Sequence, residues 1–549
     1  MTASTATSRA YDVLVVGAGF AGLYALRVSL MAGLDVTCLE AGGGVGGTWY
    51  FNRYPGCRCD VQSIDYSYSF DEELQNEWRW TERYASQPEI LSYINHVARK
   101  YDLNRHIQLN KRVASAHFDE DASLWRIRTD DGDEHRTRYV IFATGSLSTP
   151  IKPDIPGVDD FAGEVYFTAQ WPAEDPSFQD KRVGVIGTGS SGIQSIPVIA
   201  EKAASLTVFQ RTANYSVPAF NRPLTEEDQA QIRADYPERR RQSRMSGGGS
   251  PHMAHPSNTA DVDPAEREAA FEATWQTGGV LFSKTFPDQL TSLEANEYAW
   301  EFFEAKVRAK VADPRTVEDL IPNDHPIGTK RICTDSGYYE TFNRDNVELV
   351  NLRREPISSI TSDGIKTAES FYELDMIVYA TGFDAMTGTL KRVDIRGAGG
   401  VRIQDAWADG PLTYLGLGVP GFPNLFTING PGSPSVLANM VLTSEQQVDW
   451  VMDLIGRCRA RGITQVEARR DAAQKWTTHT TEVADRTLFP RANSWYMGAN
   501  IEGKKRTFML YAGGLGNYTQ LCEDVRANGY EGFVLTQRSM PQDIVNERS

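Results

Sequence analysis

The sequence lacks the features that mark membrane, disulfide-rich and repeat proteins. None of its apolar runs is long enough to span a bilayer, and the N-terminal residues MTASTATSRA contain no apolar core of an export signal. Its six cysteines are scattered, and only Cys57 and Cys59 lie close together. This usage favours a reduced, cytoplasmic protein without a disulfide framework. No tandem repeat of solenoid length is visible.

Positive charge is also scarce. The chain has 56 Lys and Arg against 72 Asp and Glu, a net charge of −16, which argues against nucleic acid or a membrane surface as the partner. Metal binding is not indicated, because His252 and His255 have no cysteine or carboxylate at ligand spacing beside them. A length of 549 residues predicts two or three domains. The oligomeric state stays open, with a monomer as the expectation.

Residues 182–212 contain a nucleotide-binding pattern: a short apolar strand, a glycine turn, a helix and a second strand. The glycines allow a tight turn and a close approach to a pyrophosphate at the helix N-terminus. The second strand ends in Arg211 rather than an acidic residue, which favours a 2′-phosphate and therefore NADPH. A glycine-rich turn without a ligand is the alternative. The residues predicted to bind NADPH here are Gly187, Thr188, Gly189, Ser190, Ser191, Gly192, Gln194, Arg211 and Thr212.

Residues 11–40 repeat this pattern with an acidic end. Glu40 lies 18 residues after Gly22, the spacing at which a carboxylate binds an adenosine ribose. Close to an N-terminus, this arrangement suits FAD as well as NAD. Two sites of opposite ribose chemistry therefore predict a flavoprotein that NADPH reduces. The turn residues assigned to FAD are Gly17, Gly19, Phe20, Ala21 and Gly22.

A loop at residues 42–60 is rich in glycine and aromatic side chains. Its flat rings and free backbone N–H groups are suited to lie along a flavin, and residues 65–80 add aromatics for which core packing is an equal alternative. The cofactor residues predicted in these two segments are Gly47, Thr48, Trp49, Arg58, Cys59, Asp60 and Tyr66.

The pattern predicts an α/β fold with two Rossmann-like dinucleotide-binding domains, for FAD and NADP, and a helical insertion. The expected boundaries are 1–149 and 383–549 for the FAD domain, 150–215 and 334–382 for the NADP domain, and 216–333 for the insertion. Within the insertion we expect residues 246–256 to form a mobile loop. Its arginines at 239–241 and 244 are interpreted as a solvated helix face.

Across nearly its full length the chain resembles the Baeyer–Villiger monooxygenases. One family motif is matched by Gly47, Trp49, Tyr54, Pro55, Gly56 and Asp60, and another by Phe161, Gly163, Trp171 and Pro172. Phe167 stands where the second motif has a histidine, and we expect it to pack against neighbours such as Trp171. The segments GPGSPSVLANM, SGGGSPH and GGVLFSKTFPDQLT are similar to the phenylacetone and steroid monooxygenase branch.

This resemblance implies NADPH- and O2-dependent oxidation of linear, aromatic or bulky steroid-like ketones to esters or lactones through a flavin C4a-peroxide. It implies that Arg331 stabilises the peroxide and the oxyanion and that Asp60 orients Arg331. Lys330 joins Arg211 at the 2′-phosphate, and Trp495 contacts the nicotinamide side of NADP. The substrate pocket implied by the branch contains Leu147, Ser435, Val436, Leu437 and Met440.

Several alternatives stay open at this stage. From the residues alone, Arg331 is as consistent with an ordinary surface ion pair as with an active-site role. A flavin monooxygenase that oxygenates nitrogen or sulfur shares both nucleotide patterns, and a non-catalytic flavin redox sensor is a further alternative. A disulfide reductase is disfavoured by the spacing of Cys57 and Cys59, and a serine hydrolase by the lack of a GxSxG elbow.

Overall fold

The computed structural model describes residues 10–537, so the residues that bear on an export signal lie outside the described range. Its strands are β1 (Ala10–Val16), β2 (Val36–Leu39), β3 (Ile107–Gln108), β4 (Val113–Asp119), β5 (Leu124–Thr129), β6 (Glu134–Phe142), β7 (Glu164–Phe167), β8 (Arg182–Ile186), β9 (Ser205–Gln210), β10 (Ser216–Pro218), β11 (Cys333–Asp335), β12 (Val347–Asn351), β13 (Ile357–Thr361), β14 (Gly364–Thr367), β15 (Phe371–Glu373), β16 (Met376–Tyr379), β17 (Asp394–Arg396), β18 (Leu425–Thr427), β19 (Gln465–Ala468) and β20 (Phe533–Thr536).

The helices are α1 (Phe20–Met31), α2 (Thr48–Phe51), α3 (Glu72–Glu77), α4 (Gln87–Lys100), α5 (Ser190–Ala200), α6 (Glu226–Met245), α7 (Pro264–Thr277), α8 (Leu293–Arg308), α9 (Pro314–Leu320), α10 (Tyr338–Thr341), α11 (Gly388–Arg392), α12 (Ile403–Ala406), α13 (Met440–Ala460), α14 (Arg470–Asp485) and α15 (Leu515–Ala527). Short 3₁₀ turns include Gly279–Lys284, Ser435–Leu437 and Trp495–Met497. No helix in the described range combines the length and the apolar character needed to cross a bilayer.

The first sheet has the strand order β17-β4-β5-β6-β1-β2-β3, with β18 beside β6. Its centre is parallel: Val13 of β1 lies opposite Val36 of β2, and Val16 lies opposite Phe142 of β6. The strand residues 13–15 are fully buried because parallel strands are covered on both faces, which explains their continuous apolar run. The strand β1 leads directly into the glycine turn at residues 17–22, which belongs to the nucleotide-binding pattern that ends in Glu40.

The second sheet is entirely parallel and has the order β12-β9-β8-β16-β7. The strand β8 lies in its centre and leads into the second glycine turn and α5. Both turns therefore lie at the carboxyl ends of central parallel strands, where α/β proteins bind nucleotides. The predicted α/β fold with two Rossmann-like domains and a helical insertion is confirmed.

Phe167 is the last residue of β7, at the edge of the second sheet. Its ring stacks on Tyr379 at a centroid distance of 4.9 Å, whereas the ring of Trp171 contacts Tyr166 and Phe178. The prediction that Phe167 packs against Trp171 is therefore wrong. Trp171 follows a 3₁₀ turn at 168–170 and packs on Tyr166, whose side chain lies on the opposite face of β7 from that of Phe167.

The insertion between β10 and β11 contains α6 to α9, and α6 corrects one prediction. Arg240 is only 4% exposed, and its Nη2 donates to the Ser67 hydroxyl at 2.7 Å. Arg239 forms a bidentate pair with the buried Asp65 at 2.7 Å. These two arginines do not belong to a solvated face, because they anchor α6 to residues 65–68. Arg241 is exposed and pairs with Glu238.

The loop at 246–256 is packed between the insertion and the C-terminal part of the chain. The backbone N–H of Asn439 donates to the carbonyl of Gly248 at 2.9 Å, and Gly249 is buried beside Asn439. A ring nitrogen of His252 lies 2.6 Å from the carbonyl of Lys284. Among residues 10–537, no group of His, Cys, Asp or Glu side chains is placed to hold a metal ion.

We expect Arg240→Ala to lower the stability by about 2 kcal/mol, because truncation leaves the buried acceptors around the guanidinium without a donor. The change is measured as a lower midpoint of thermal unfolding. Arg241→Ala is the matched control, since Arg241 lies one residue away and makes only an exposed pair with Glu238. Equal midpoints for the two variants would contradict the anchoring role of Arg240.

Candidate active site

The turn after β1 accepts only glycine at two positions. A Cβ at Gly22 would lie 1.7 Å from the carbonyl oxygen of Gly17, and one at Gly17 would lie 2.8 Å from that of Ala143. Gly19 precedes α1 and provides no side-chain cap, so the first N–H groups of α1 stay available to an anion. Phe20 and Ala21 form the first turn of this helix.

Glu40 directly follows β2, next to this turn, and is 4% exposed. Its Oε2 accepts from the backbone N–H of Ala18 at 2.6 Å, and its Oε1 accepts from that of Gly42 at 2.7 Å. Burial raises the pKa of Glu40, and these backbone hydrogen bonds oppose that rise. Each carboxylate oxygen retains a free lone pair, which can accept from a sugar hydroxyl.

The loop at 42–60 folds over the same turn. Gly47 has a φ of +54°, and a Cβ there would lie 3.1 Å from the Cα of Gly19. Trp49, in α2 after Thr48, donates from Nε1 to the hydroxyl of Tyr66 at 3.2 Å. The Tyr66 ring also packs edge-on against Phe20. The loop therefore places an aromatic wall beside the helix N-terminus.

Arg58 and Cys59 of this loop bind to residues 82–85. Arg58 donates from Nη1 to the carbonyl of Tyr84 at 2.5 Å and pairs with Glu82. Cys59 is buried, and its N–H donates to the carbonyl of Ala85. The side chain of Arg58 is thus engaged with residues 82–84.

The turn after β8 repeats the glycine geometry. A Cβ at Gly192 would lie 2.2 Å from the carbonyl oxygen of Gly187, whereas a Cβ at Gly189 would meet nothing within 4 Å. The turn is fixed by side chains: Thr188 donates to the carbonyl of Thr212 at 3.0 Å, and the hydroxyl of Ser191 accepts from Thr168. Ser190 points its hydroxyl towards the thiol of Cys333. The space beside Gly189 is therefore open to a ligand.

Gln194 of α5 connects this turn to the loop at 42–60. Its side-chain carbonyl accepts from the hydroxyl of Tyr54 at 2.9 Å, and its amide donates to the carbonyl of Arg58 at 3.2 Å. A Cβ at Gly56 would lie 2.3 Å from the backbone oxygen of Gln194. The loop at 42–60, which folds over the first glycine turn, therefore packs directly against the helix that follows the second.

Arg331 and Asp60 form a bidentate ion pair at the centre of this region. Arg331 donates from Nε and Nη2 to the two oxygens of Asp60 at 2.7 and 2.8 Å, and its Nη1 donates to the carbonyl of Val436 at 2.7 Å. Burial disfavours the charge of Arg331, but Asp60 outweighs burial and raises the pKa of Arg331 further above its usual value. The pair is half-buried and joins residues 271 positions apart, which favours a site role over an ordinary surface pair.

Arg331 keeps 27% of its side-chain surface accessible. Its third hydrogen-bond partner, the carbonyl of Val436, lies in an apolar cluster. Three other residues predicted for the substrate pocket pack in this cluster, namely Leu147, Leu437 and Met440. Trp495, which was predicted to contact NADP, packs there as well. Ser435 is buried next to them, with its hydroxyl 3.8 Å from the Met440 sulfur. A permanently charged donor group is thus placed at the edge of an apolar cluster.

Comparison with known proteins agrees with this geometry. Residues 10–219 match the flavin-binding monooxygenase-like family. A solved structure of oxidized steroid monooxygenase bound to NADP is 54% identical, with a TM-score of 0.93 over 96% of this chain and 100% of that chain. The Baeyer–Villiger monooxygenase of Pseudooceanicola batsensis is 42% identical over 95% of this chain and 96% of the relative. The chain belongs to the Baeyer–Villiger monooxygenases.

The family predicted from the sequence motifs is thereby confirmed. Among the relatives of this Baeyer–Villiger monooxygenase is also phenazine N-monooxygenase PhzNO1 of Lysobacter antibioticus, 40% identical over 97% of this chain and 98% of the relative. The Gly-x-Trp motif contributes the aromatic wall and Asp60. In the second motif, Phe167 replaces the histidine, and β7 remains paired in the second sheet.

The sequence motifs of this Baeyer–Villiger monooxygenase do not predict one cation of this region, Arg353. Arg211 is exposed at the end of β9, and Lys330 lies near enough that Arg211 contributes to lowering its pKa, after burial as the main cause. Arg353 joins them: its Nη2 is 3.4 Å from the Thr212 hydroxyl. The signal was the Arg353–Arg354 pair two residues after β12, which runs parallel to β9, but the strand pairing is not readable from the sequence.

Proposed function

We propose that the chain catalyses NADPH- and O2-dependent Baeyer–Villiger oxidation of ketones to esters or lactones. The observation that carries this proposal is the half-buried Arg331–Asp60 pair, whose guanidinium also binds Val436 of the apolar cluster. Arg331 is charged at any working pH, so it can stabilise negative charge that develops on the ketone oxygen. Asp60 and the carbonyl of Val436 position the guanidinium.

FAD fits the turn after β1. Glycines hold the backbone open there, Glu40 offers acceptors for a ribose, and Trp49 and Tyr66 form the adjacent wall. When bound, FAD supplies the two-electron chemistry and the reaction with O2. The chain's own contribution is to bind this group, orient the ketone and place a fixed positive charge at the reacting carbonyl.

We expect Gly22→Ala to purify with little bound FAD, because its Cβ has no room against the carbonyl of Gly17. The flavin absorbance per mole of protein measures the effect. Gly456→Ala is the control: Gly456 is exposed in α13, and a Cβ there meets nothing within 4 Å. Full flavin content in Gly22→Ala would place the flavin elsewhere.

NADPH fits the turn after β8, with Arg211, Thr212 and Lys330 around its 2′-phosphate. We expect Arg211→Ala to weaken NADPH binding about tenfold, since a charge-assisted hydrogen bond contributes roughly 1.5 kcal/mol at an exposed position. The KM for NADH, which lacks the phosphate, should change little. An unchanged preference between the two coenzymes would show that the phosphate lies elsewhere.

Arg331→Ala should retain FAD but form no ester, because no other group replaces the fixed charge at the carbonyl. Product formation and flavin content are measured on the same preparation. Arg331→Lys is the matched variant: a lysine keeps the charge but cannot form the bidentate contact with Asp60, so we expect a low residual rate. Ester formation by Arg331→Ala at the parental rate would contradict the role of Arg331.

The pocket of Leu147, Leu437 and Met440 supports aromatic or bulky ketones, in line with the similarity to steroid monooxygenase. Oxygenation of nitrogen or sulfur, the alternative from sequence, is not favoured, although one relative is a phenazine N-monooxygenase. Product masses from a panel of linear, aromatic, cyclic and steroid ketones, with an aromatic amine in parallel, separate the two. NADPH consumption that rises with added ketone excludes a non-catalytic sensor.

The proposed enzyme is a cytoplasmic monomer. All six cysteines are free and buried, which supports a reduced, cytoplasmic location, and a monomer is the proposed state. Size-exclusion chromatography with light scattering tests the second point.

A further inference from the structure

The region that contains the three cations Arg211, Lys330 and Arg353 also contains the anionic side chain of Asp324. The carboxylate of Asp324 pairs with the guanidinium of Arg353 and lies 2.5 Å from the ring Nδ1 of His325. It also raises the pKa of Lys330, against the larger effect of burial. The negative charge of Asp324 therefore offsets part of the positive charge of Arg353 and Lys330.

His325 fixes this carboxylate in place. Its side chain is 1% exposed, and its ring packs edge-on against Tyr215 at 5.2 Å. Hydrogen bonding to His325, opposed by burial and supported by Arg353, holds the pKa of Asp324 below its usual range. Asp324 is thus charged and anchored from the buried side, while its other oxygen reaches Arg353 at the surface.

Topology places Arg353 where a 2′-phosphate would lie. The strands β9 and β12 are parallel neighbours, with Gln210 opposite Asn351. Arg211 and Arg353 follow these residues at the same edge of the sheet. Thr212 lies between them, with its carbonyl bound to Thr188 of the glycine turn and its hydroxyl near Arg353. A phosphate bound beside Thr212 therefore comes within reach of Arg353.

We propose that Arg353 is a further ligand of the coenzyme 2′-phosphate and that the phosphate replaces Asp324 as its ion-pair partner. This inference rests on the proposed use of NADPH. A 2′-phosphate carries nearly two negative charges, so it competes with Asp324 for Arg353 and Lys330. Asp324 consequently weakens phosphate binding and moderates the preference for NADPH over NADH, whose 2′-hydroxyl has no charge to repel.

Isothermal titration calorimetry on the FAD-loaded protein tests the proposal, with 2′,5′-ADP as the probe and 5′-AMP, which lacks only the 2′-phosphate, as its counterpart. Arg353→Ala should weaken 2′,5′-ADP about fivefold, and Asp324→Asn should tighten it about threefold, modest changes because both side chains are partly solvated. Neither variant should change the affinity for 5′-AMP. Arg354→Ala is the matched control, since Arg354 pairs with Asp319 and not with Asp324, and it should leave both affinities unchanged.

Opposite results separate the possible errors. Unchanged 2′,5′-ADP binding in Arg353→Ala, with the expected loss in Arg211→Ala, would overturn the role of Arg353 alone. Weaker 2′,5′-ADP binding in Asp324→Asn would show that Asp324 positions Arg353, and the exchange of partners would be wrong. If Arg211→Ala also bound 2′,5′-ADP like the parent, the proposed phosphate site itself would be misplaced.

Discussion

The pair of Arg331 and Asp60 is the interaction on which the architecture of the site depends. Its members are 271 residues apart in sequence, and the third partner, the carbonyl of Val436, comes from another segment. A buried guanidinium without its carboxylate would be costly, so the three segments must meet for the charge to be tolerated. The contact that joins these three segments therefore leaves one side of the permanently charged Arg331 guanidinium accessible.

Much of the frame follows from the sequence because it rests on local rules. The runs at 13–16 and 183–186 are apolar since both faces of a parallel strand are covered, and each leads into a glycine turn that tolerates no Cβ at Gly22 or Gly192. These features need no knowledge of distant contacts. The topology of both sheets then places the turns at equivalent edges, as the repeated pattern predicts.

The errors share a physical origin, which is that helix and loop patterns do not report distant partners. Arg239 and Arg240 look solvated within α6, yet their acceptors come from residues 65–68, more than 170 positions away. Phe167 was expected beside a sequence neighbour but stacks on Tyr379, which becomes its neighbour only through strand pairing. Arg353 was missed for the same reason.

The two nucleotide turns have similar backbones but differ in how their charged residues are held, and this difference bears on how each nucleotide is used. Glu40 is buried and fixed by two backbone N–H groups, so a ribose bound to it becomes enclosed by the fold and by the loop at 42–60. Arg211 and Arg353 are exposed, so a phosphate bound to them stays in contact with solvent, where screening weakens each ion pair. An enclosed site suits a flavin that remains bound through many cycles, and an open one suits a coenzyme that must leave and be replaced. The two turns thus share a geometry, while the acidic residue beside the first is buried and the arginines beside the second are exposed.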